Sequence, residues 1–291
     1  MATELKSKIE DRYVTVDGLR LRYIEEGQGP AAILLHGASL GSSADVFIRN
    51  LGPLAKAGIR AIAFDSPGFG LSDNPTDISA GFRRDMIPKF IDALGLKKVA
   101  LVAHSQAGGA AVQLALKNPE RYSAVVVLGT GSLLPPLEEK KNQGADREAA
   151  VQQRLERRMA QSEPTIDDTR KLLEANLFHH ELITPGELAL RHSRSIGKNF
   201  ESFVARSEAA EGGNKQAKPA GTPMWQRLVE LKMPLLLIFG RNDRANAEAR
   251  AELLKKTYPQ LNLHLVDGCK HLVPWDAADK FIELAVPLLK S

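Results

Sequence analysis

Residues 99–118 read VALVAHSQAGGAAVQLALKN. An almost unbroken apolar run leads up to His104, and an alanine-rich, amphipathic stretch begins directly after Ser105. This is the pattern of a buried strand that turns into a helix at a serine. So sharp a turn needs small residues two positions either side of the serine, normally glycine, because a larger Cβ strikes the neighbouring backbone. Here they are Ala103 and Ala107, the smallest available departure, while Gly108 and Gly109 keep the helix start open. The turn puts the Ser105 hydroxyl at the carboxyl edge of a sheet. It also aims the Gln106 N–H, at a helix N-terminus, toward negative charge developing on a bound oxygen.

The same alternation extends outward from this segment. Continuous apolar runs recur at AAILLHG (31–37), IRAIAFD (59–65), AVVVLGT (124–130), MPLLLIFG (233–240) and LNLHLVDG (261–268), separated by helix-like stretches. Strands apolar on both faces and alternating with helices predict an α/β fold with a mostly parallel central sheet flanked by helices. VTVDGLRLRYIEE (14–26) alternates apolar and polar residues around Asp17-Gly18 and predicts a leading hairpin. Alternation stops near Ser132. Residues 133–144 read as a polar exit, 147–210 are rich in helix formers, and 211–223 read as a flexible return loop. The expected organisation is a core of 1–132 and 225–291 carrying an inserted helical cap of 133–224.

Composition narrows the function classes. The 43% hydrophobic and 25% charged shares of the 291 residues are those of an ordinary globular protein. No stretch approaches 18 consecutive apolar residues, so no membrane association is expected. The net charge of +4 is spread along the chain, without basic runs and with only 5% aromatics, which argues against nucleic acid as a partner. The opening residues lack a secretory pattern, and one cysteine, Cys269, makes no disulfide within the chain; both point to the cytoplasm. Neither cysteine nor histidine spacing provides a metal site, and no cofactor is expected. A small-molecule substrate is the expected partner, and a homo-oligomer is compatible with the sequence.

A nucleophilic serine needs a base, and the base an orienting acid. Asp243 follows the strand LLLIFG, and His271 lies in the loop after LHLVDG, so both are expected at the same sheet edge as Ser105. Asp267, four residues before His271, is a rival acid, although its place beside Gly268 suits a turn. The loop LLHGASLGSS (34–43) should supply a second oxyanion donor besides Gln106. Ser39 is the expected donor, with Ala38 the alternative one residue earlier. Asp65, in FDSPGFGLSDNP, is expected to hold its own glycine-rich turn.

Together the HG loop, DSPGFGLSD, the serine turn, GRND and the final GCKH resemble the α/β-hydrolase superfamily over nearly the whole chain. Within it the chain looks most like the meta-cleavage product hydrolases, which split a carbon-carbon bond in vinylogous diketones. NLFHHELITPGELALRHS resembles that family's cap segment. The resemblance implies that Arg191 binds the dienoate carboxylate, with Arg194 the fallback, and that Phe178 and Trp275 contact substrate. The chain departs from the family around the serine. It has His104 and Gln106 where asparagine and methionine are usual, alanines in place of the flanking glycines, and ASLGSS after HG. His104 is expected to face the pocket and, as an imidazole, to change charge near its reference pKa of about 6.5.

The resulting expectation is a serine-dependent hydrolase of 2-hydroxy-6-oxo-dienoates. The alternatives are a carboxylesterase or lactonase with the same triad and, less favoured, a hydrolase-fold ligand receptor without turnover.

Overall fold

The computed structural model describes residues 9–137, 158–212 and 221–290. Eight strands form one sheet in the order β1-β2-β4-β3-β5-β6-β7-β8. The leading hairpin, β1 (Arg12–Val16) and β2 (Leu19–Glu26), closes through Asp17 and Gly18, both at positive φ, the turn that matches the twist of paired strands. β2 lies antiparallel to β4 (Arg60–Phe64). From there β3 (Ala31–Leu35), β5 (Val99–His104), β6 (Tyr122–Leu128), β7 (Leu235–Gly240) and β8 (Asn262–Val266) run parallel.

The unbroken apolar runs have a direct cause. Ile33, Leu35, Leu101 and Ala103 face one core layer, while Ala32, Leu34, Ala100 and Val102 face the other. Successive residues of a strand point to opposite faces, so a strand covered on both sides must be apolar throughout. Helices α2 (Ala80–Ala93) and α3 (Ala107–Lys117) supply Met86, Phe90, Val112 and Leu114 to the first layer. Helix α1 (Ile48–Lys56) supplies Leu51 and Leu54 to the second.

Between β6 and β7, which pair directly, the chain leaves the sheet and builds three described helices: α4 (Ile166–Asn176), α5 (Pro185–Ser193) and α6 (Lys198–Gly212). Thr165 with Asp168 and Thr184 with Glu187 form reciprocal capping boxes that fix where α4 and α5 begin. Most of the expected exit 133–144 and the return loop 211–223 lie outside the described residues. Core helices α7 (Ala247–Thr257) and α8 (Ala278–Leu289) follow β7 and a single helical turn, Val273–Asp276.

These cap helices are fastened to core loops by named polar contacts. Arg194 Nε reaches Asp45 Oδ2 at 2.9 Å, Lys198 Nζ donates to Ser72 O at 2.7 Å, and Arg206 Nη1 donates to Gly68 O at 3.1 Å. Asn199 Nδ2 donates to Gly70 O at 3.0 Å. Under them lies a buried ionic cluster. Arg22 on β2 pairs with Asp45 at 2.7 Å and approaches Asp65 at 3.4 Å. As expected, Asp65 holds its turn, accepting the Leu71 N–H at 2.8 Å and the Ala44 N–H at 2.6 Å. Burial raises its pKa to about 6.

Candidate active site

At the end of β5 the chain turns with Ser105 at φ 57, a left-handed conformation costing a β-carbon residue about 1–3 kcal/mol. The neighbours hold it there. The Ser105 N–H donates to Leu128 O at 2.8 Å, and Thr130 Oγ1 donates to Ser105 O at 2.6 Å. The tight glycine requirement falls at Gly108 and Gly37. A Cβ on Gly108 would sit 2.2 Å from Thr130 Oγ1, and one on Gly37 would sit 2.9 Å from Ser105 Cβ.

His271 Nε2 lies 2.9 Å from Ser105 Oγ, and His271 Nδ1 lies 3.0 Å from Asp243 Oδ2. Ionised Asp243 can only accept, so Nδ1 carries the proton and Nε2 is left to accept the serine hydroxyl proton. Burial works against ionising Asp243, yet His271 and Arg244 together hold its pKa below the usual carboxylate value. The two loops meet because Gly240 has no side chain. A Cβ there would fall 2.3 Å from both Cys269 O and Lys270 O. Asp267 is not part of this arrangement. It is 85% exposed and paired with Arg241 at 2.7 Å.

Ala38 and Gln106 line the same cavity, of about 320 Å³, next to the serine turn. Ser39 instead faces the opposite chamber, where its Oγ accepts from Arg191 Nη2 at 3.1 Å. Of the two candidate donors in this loop, Ala38 is the one that borders the cavity shared with Gln106. Among the described residues neither the Ala38 nor the Gln106 N–H donates to a protein group.

Arg191, on α5, also donates from Nη2 to Leu40 O at 2.8 Å. Its Nε is buried with no hydrogen-bond partner among the described residues, and burial lowers its pKa to about 10. The side chain closes a chamber of about 10 Å³, room for one water, shared with His104, His271, Leu172 and Leu173. Arg194, by contrast, is neutralised by Asp45.

His104 lines this chamber but does not titrate as expected, and two aromatic residues are placed differently from expectation. The His104 ring is buried and its Nε2–H donates to His271 O at 2.9 Å. Burial first, then the His271 ring, push its pKa down to about 3, so it stays neutral in the working range instead of titrating there. Phe178 is 46% exposed, its ring against His179, because Asp276 accepts the N–H groups of both residues and turns the segment outward. Trp275 lies outside the chamber, in a cleft with Arg49 and Leu190, its Nε1–H donating to Val46 O at 2.9 Å. Thr130 was not legible as a site residue, because only β5–β6 pairing brings it to Ser105.

Neutral burial of His104 and His36 has a pH consequence. Burial lowers the His36 pKa to about 4. The unfolded chain takes up protons at both residues as pH falls through about 6.5, whereas the folded chain does so only near 4 and 3. Their stabilising contribution is present above about pH 6.5 and is lost on acidification. Asp65, with its raised pKa, opposes this trend, since its contribution is lost as pH rises through about 6. His104→Asn should therefore lose less Tm than the parent between about pH 7 and 5. Parallel Tm profiles for the two proteins would contradict the neutral assignment.

The alpha/beta hydrolase fold family matches residues 30–278. A 2-hydroxy-6-oxononadienedioate/2-hydroxy-6-oxononatrienedioate hydrolase of Escherichia coli (strain K12) is 31% identical, covering 93% of this chain and 91% of that one. A 2-hydroxy-6-oxo-6-phenylhexa-2,4-dienoate hydrolase of Burkholderia cepacia is 29% identical over 99% of both chains. Among solved structures, the 2-hydroxy-6-oxo-6-phenylhexa-2,4-dienoate hydrolase of Rhodococcus sp. strain RHA1 superposes with a TM-score of 0.77. It shares 22% identity and covers 97% of this chain and 99% of that one. The chain belongs to the α/β-hydrolase fold family, and its relatives there include hydrolases named for 2-hydroxy-6-oxo-dienoates.

Proposed function

We propose that this protein is a serine-dependent hydrolase that cleaves a carbon-carbon bond in 2-hydroxy-6-oxo-dienoates. The observation that carries this reading is Arg191, a buried guanidinium beside the triad with an unpaired Nε and no carboxylate in any ion pair with it among the described residues. Such a group is costly unless an anion joins it, and a carboxylate is the natural occupant. The names of the relatives support the same substrate class.

With the substrate carboxylate on Arg191, its dienol lies along His271. His271 manages the proton as the dienol becomes the ketone, and the distal carbonyl carbon comes to Ser105 Oγ. Attack by Ser105, or by a water that it and His271 activate, places charge on the carbonyl oxygen, where the Ala38 and Gln106 N–H groups receive it. The carbon-carbon bond then breaks. Its electron pair passes into the vinylogous acid as a dienolate, and water supplies OH to the acyl carbon and a proton to the leaving fragment. His104 holds the His271 carbonyl and so positions the base. The chamber beside Arg191 is bounded on one side by Leu172 and Leu173 of α4. A cytoplasmic setting belongs to this reading, supported by the single, buried, free Cys269.

Stopped-flow absorbance with a yellow ring-fission product separates ketonisation from cleavage and tests the reading. Arg191→Gln should slow ketonisation and lower kcat/KM for the dienoate about 10- to 100-fold, the loss of a charge-assisted pair, with a neutral aryl ester little changed. Equal losses on both substrates would make Arg191 structural. Turnover of aryl esters with none of the dienoate would replace the reading with an esterase.

A further inference from the structure

Ser105, His271 and Asp243 all stand on core loops, yet the cap reaches two of those loops through one residue. Asn176 is the last residue of α4 and is buried. Its backbone carbonyl accepts the N–H of Leu272, directly after His271, at 3.0 Å. Its side-chain Oδ1 accepts from Nη1 of Arg244, directly after Asp243. The amide nitrogen is used locally, with Nδ2 donating to Leu172 O at 2.7 Å one turn back along the same helix. That bond fixes the amide plane and leaves Oδ1 for Arg244.

The contacts land beside the acid and the base. Arg244 donates its own backbone N–H to Asp243 Oδ1 at 2.7 Å, and its guanidinium has no ion pair among the described residues. Burial opposes ionising Asp243, and His271 and then Arg244 counter it. The Asn176 amide is the one side chain that holds this guanidinium among the described residues. On the other flank of the histidine, Asp276 accepts the Lys270 N–H at 2.8 Å together with the N–H groups of Phe178 and His179. The residues before and after His271 are therefore both tied to the point where α4 ends.

We propose that Asn176 is a positioning residue through which the cap aligns the triad, its side-chain oxygen holding Arg244 beside Asp243 and its backbone oxygen holding Leu272 beside His271. Asn176 acts through these two neighbours. Displacing α4 releases both loops together, so acid and base are aligned only beneath a seated cap. The inference rests on the triad reading of the site.

The test is a double-mutant cycle in kcat with Asn176→Ala and Arg244→Met, run on a dienoate and on an aryl ester. Asn176→Ala removes the side-chain arm and leaves the backbone arm. It should lower kcat about 10- to 100-fold on both substrates, the scale of a misplaced catalytic group, with KM little changed. Arg244→Met should cost at least as much, and adding Asn176→Ala to it should cost little more. Asn176→Asp keeps an acceptor for Arg244 but loses the donor to Leu172, and it should retain most of the parent kcat. Proton NMR gives a reading independent of turnover. The His271 Nδ1 proton held by Asp243 gives a far-downfield signal, identified by its absence in His271→Ala, and Asn176→Ala should shift or broaden it. Additive losses with that signal unmoved overturn the proposal. So does an Asn176→Asp enzyme no better than Asn176→Ala, which would confine the residue to closing its own helix, and so does a rise in KM for the dienoate alone, which would make it a substrate contact. If Asn176→Ala does not fold, Arg244→Met breaks the same contact from the core side with the bonds of α4 intact, and its NMR signal decides. Normal turnover by Ser105→Ala would remove the triad reading by itself, and the downfield signal in Asn176→Ala would then decide the positioning alone.

Discussion

Replacing Ser105 with alanine is expected to lower kcat on the order of 10³-fold or more, and His271→Ala by a similar amount. The two side chains share one proton path at 2.9 Å, so removing either removes the same step and the double variant should be little worse than each single one. Asp243→Asn should cost somewhat less, because an amide still contacts Nδ1 at 3.0 Å but no longer favours the tautomer that frees Nε2. Dienoate and aryl ester assays with each variant check this. Near-normal turnover by Ser105→Ala would eliminate serine-dependent chemistry, and a loss at Asp267 without one at Asp243 would reassign the acid.

The largest expected effect on stability is at Arg22. Burial alone would lower its pKa, but the charges of Asp65 and Asp45 outweigh it and the net shift is upward. Arg22→Met would leave Asp65, fully buried, without its cation, and Asp45 with Arg194 alone. Stranding buried charge in this way costs about 3–5 kcal/mol. Urea denaturation near neutral pH should show that loss. Because Asp65 would then ionise less readily, the deficit should shrink toward about pH 5, where the carboxyl is more easily protonated. A loss below about 1 kcal/mol would mean that water or backbone groups already carry these charges.

The triad's assembly was legible because each member follows a strand that the apolar runs identify, and parallel strands deliver their ends to one edge. The reading failed where a side chain's direction depends on contacts remote in sequence. Phe178 turns outward because Asp276 takes its N–H, 98 positions along the chain. His104 is neutral because burial and the His271 ring disfavour its charge, and no local pattern at the strand end reveals how deeply that ring is enclosed. Ala38 and Ser39 border different cavities, which no local motif in the loop foretells. The Arg22 cluster carries no local motif at all, since Arg22 and Asp65 are 43 positions apart.

The fastening of the cap bears on how such a protein can be recombined. Arg191 and Arg194 engage residues 39, 40 and 45, while Lys198, Asn199 and Arg206 engage residues 68, 70 and 72. An exchange of cap sequences between relatives is therefore an exchange of two core loops as well. A chimera that imports a foreign cap onto this core would leave Asp45 with Arg22 alone and lose the Arg191 contacts to Ser39 and Leu40. Specificity in this architecture is inherited in blocks spanning the seam, and homologous crossovers that preserve residues 38–45 and 68–72 together with 185–206 are the ones that keep the molecule intact.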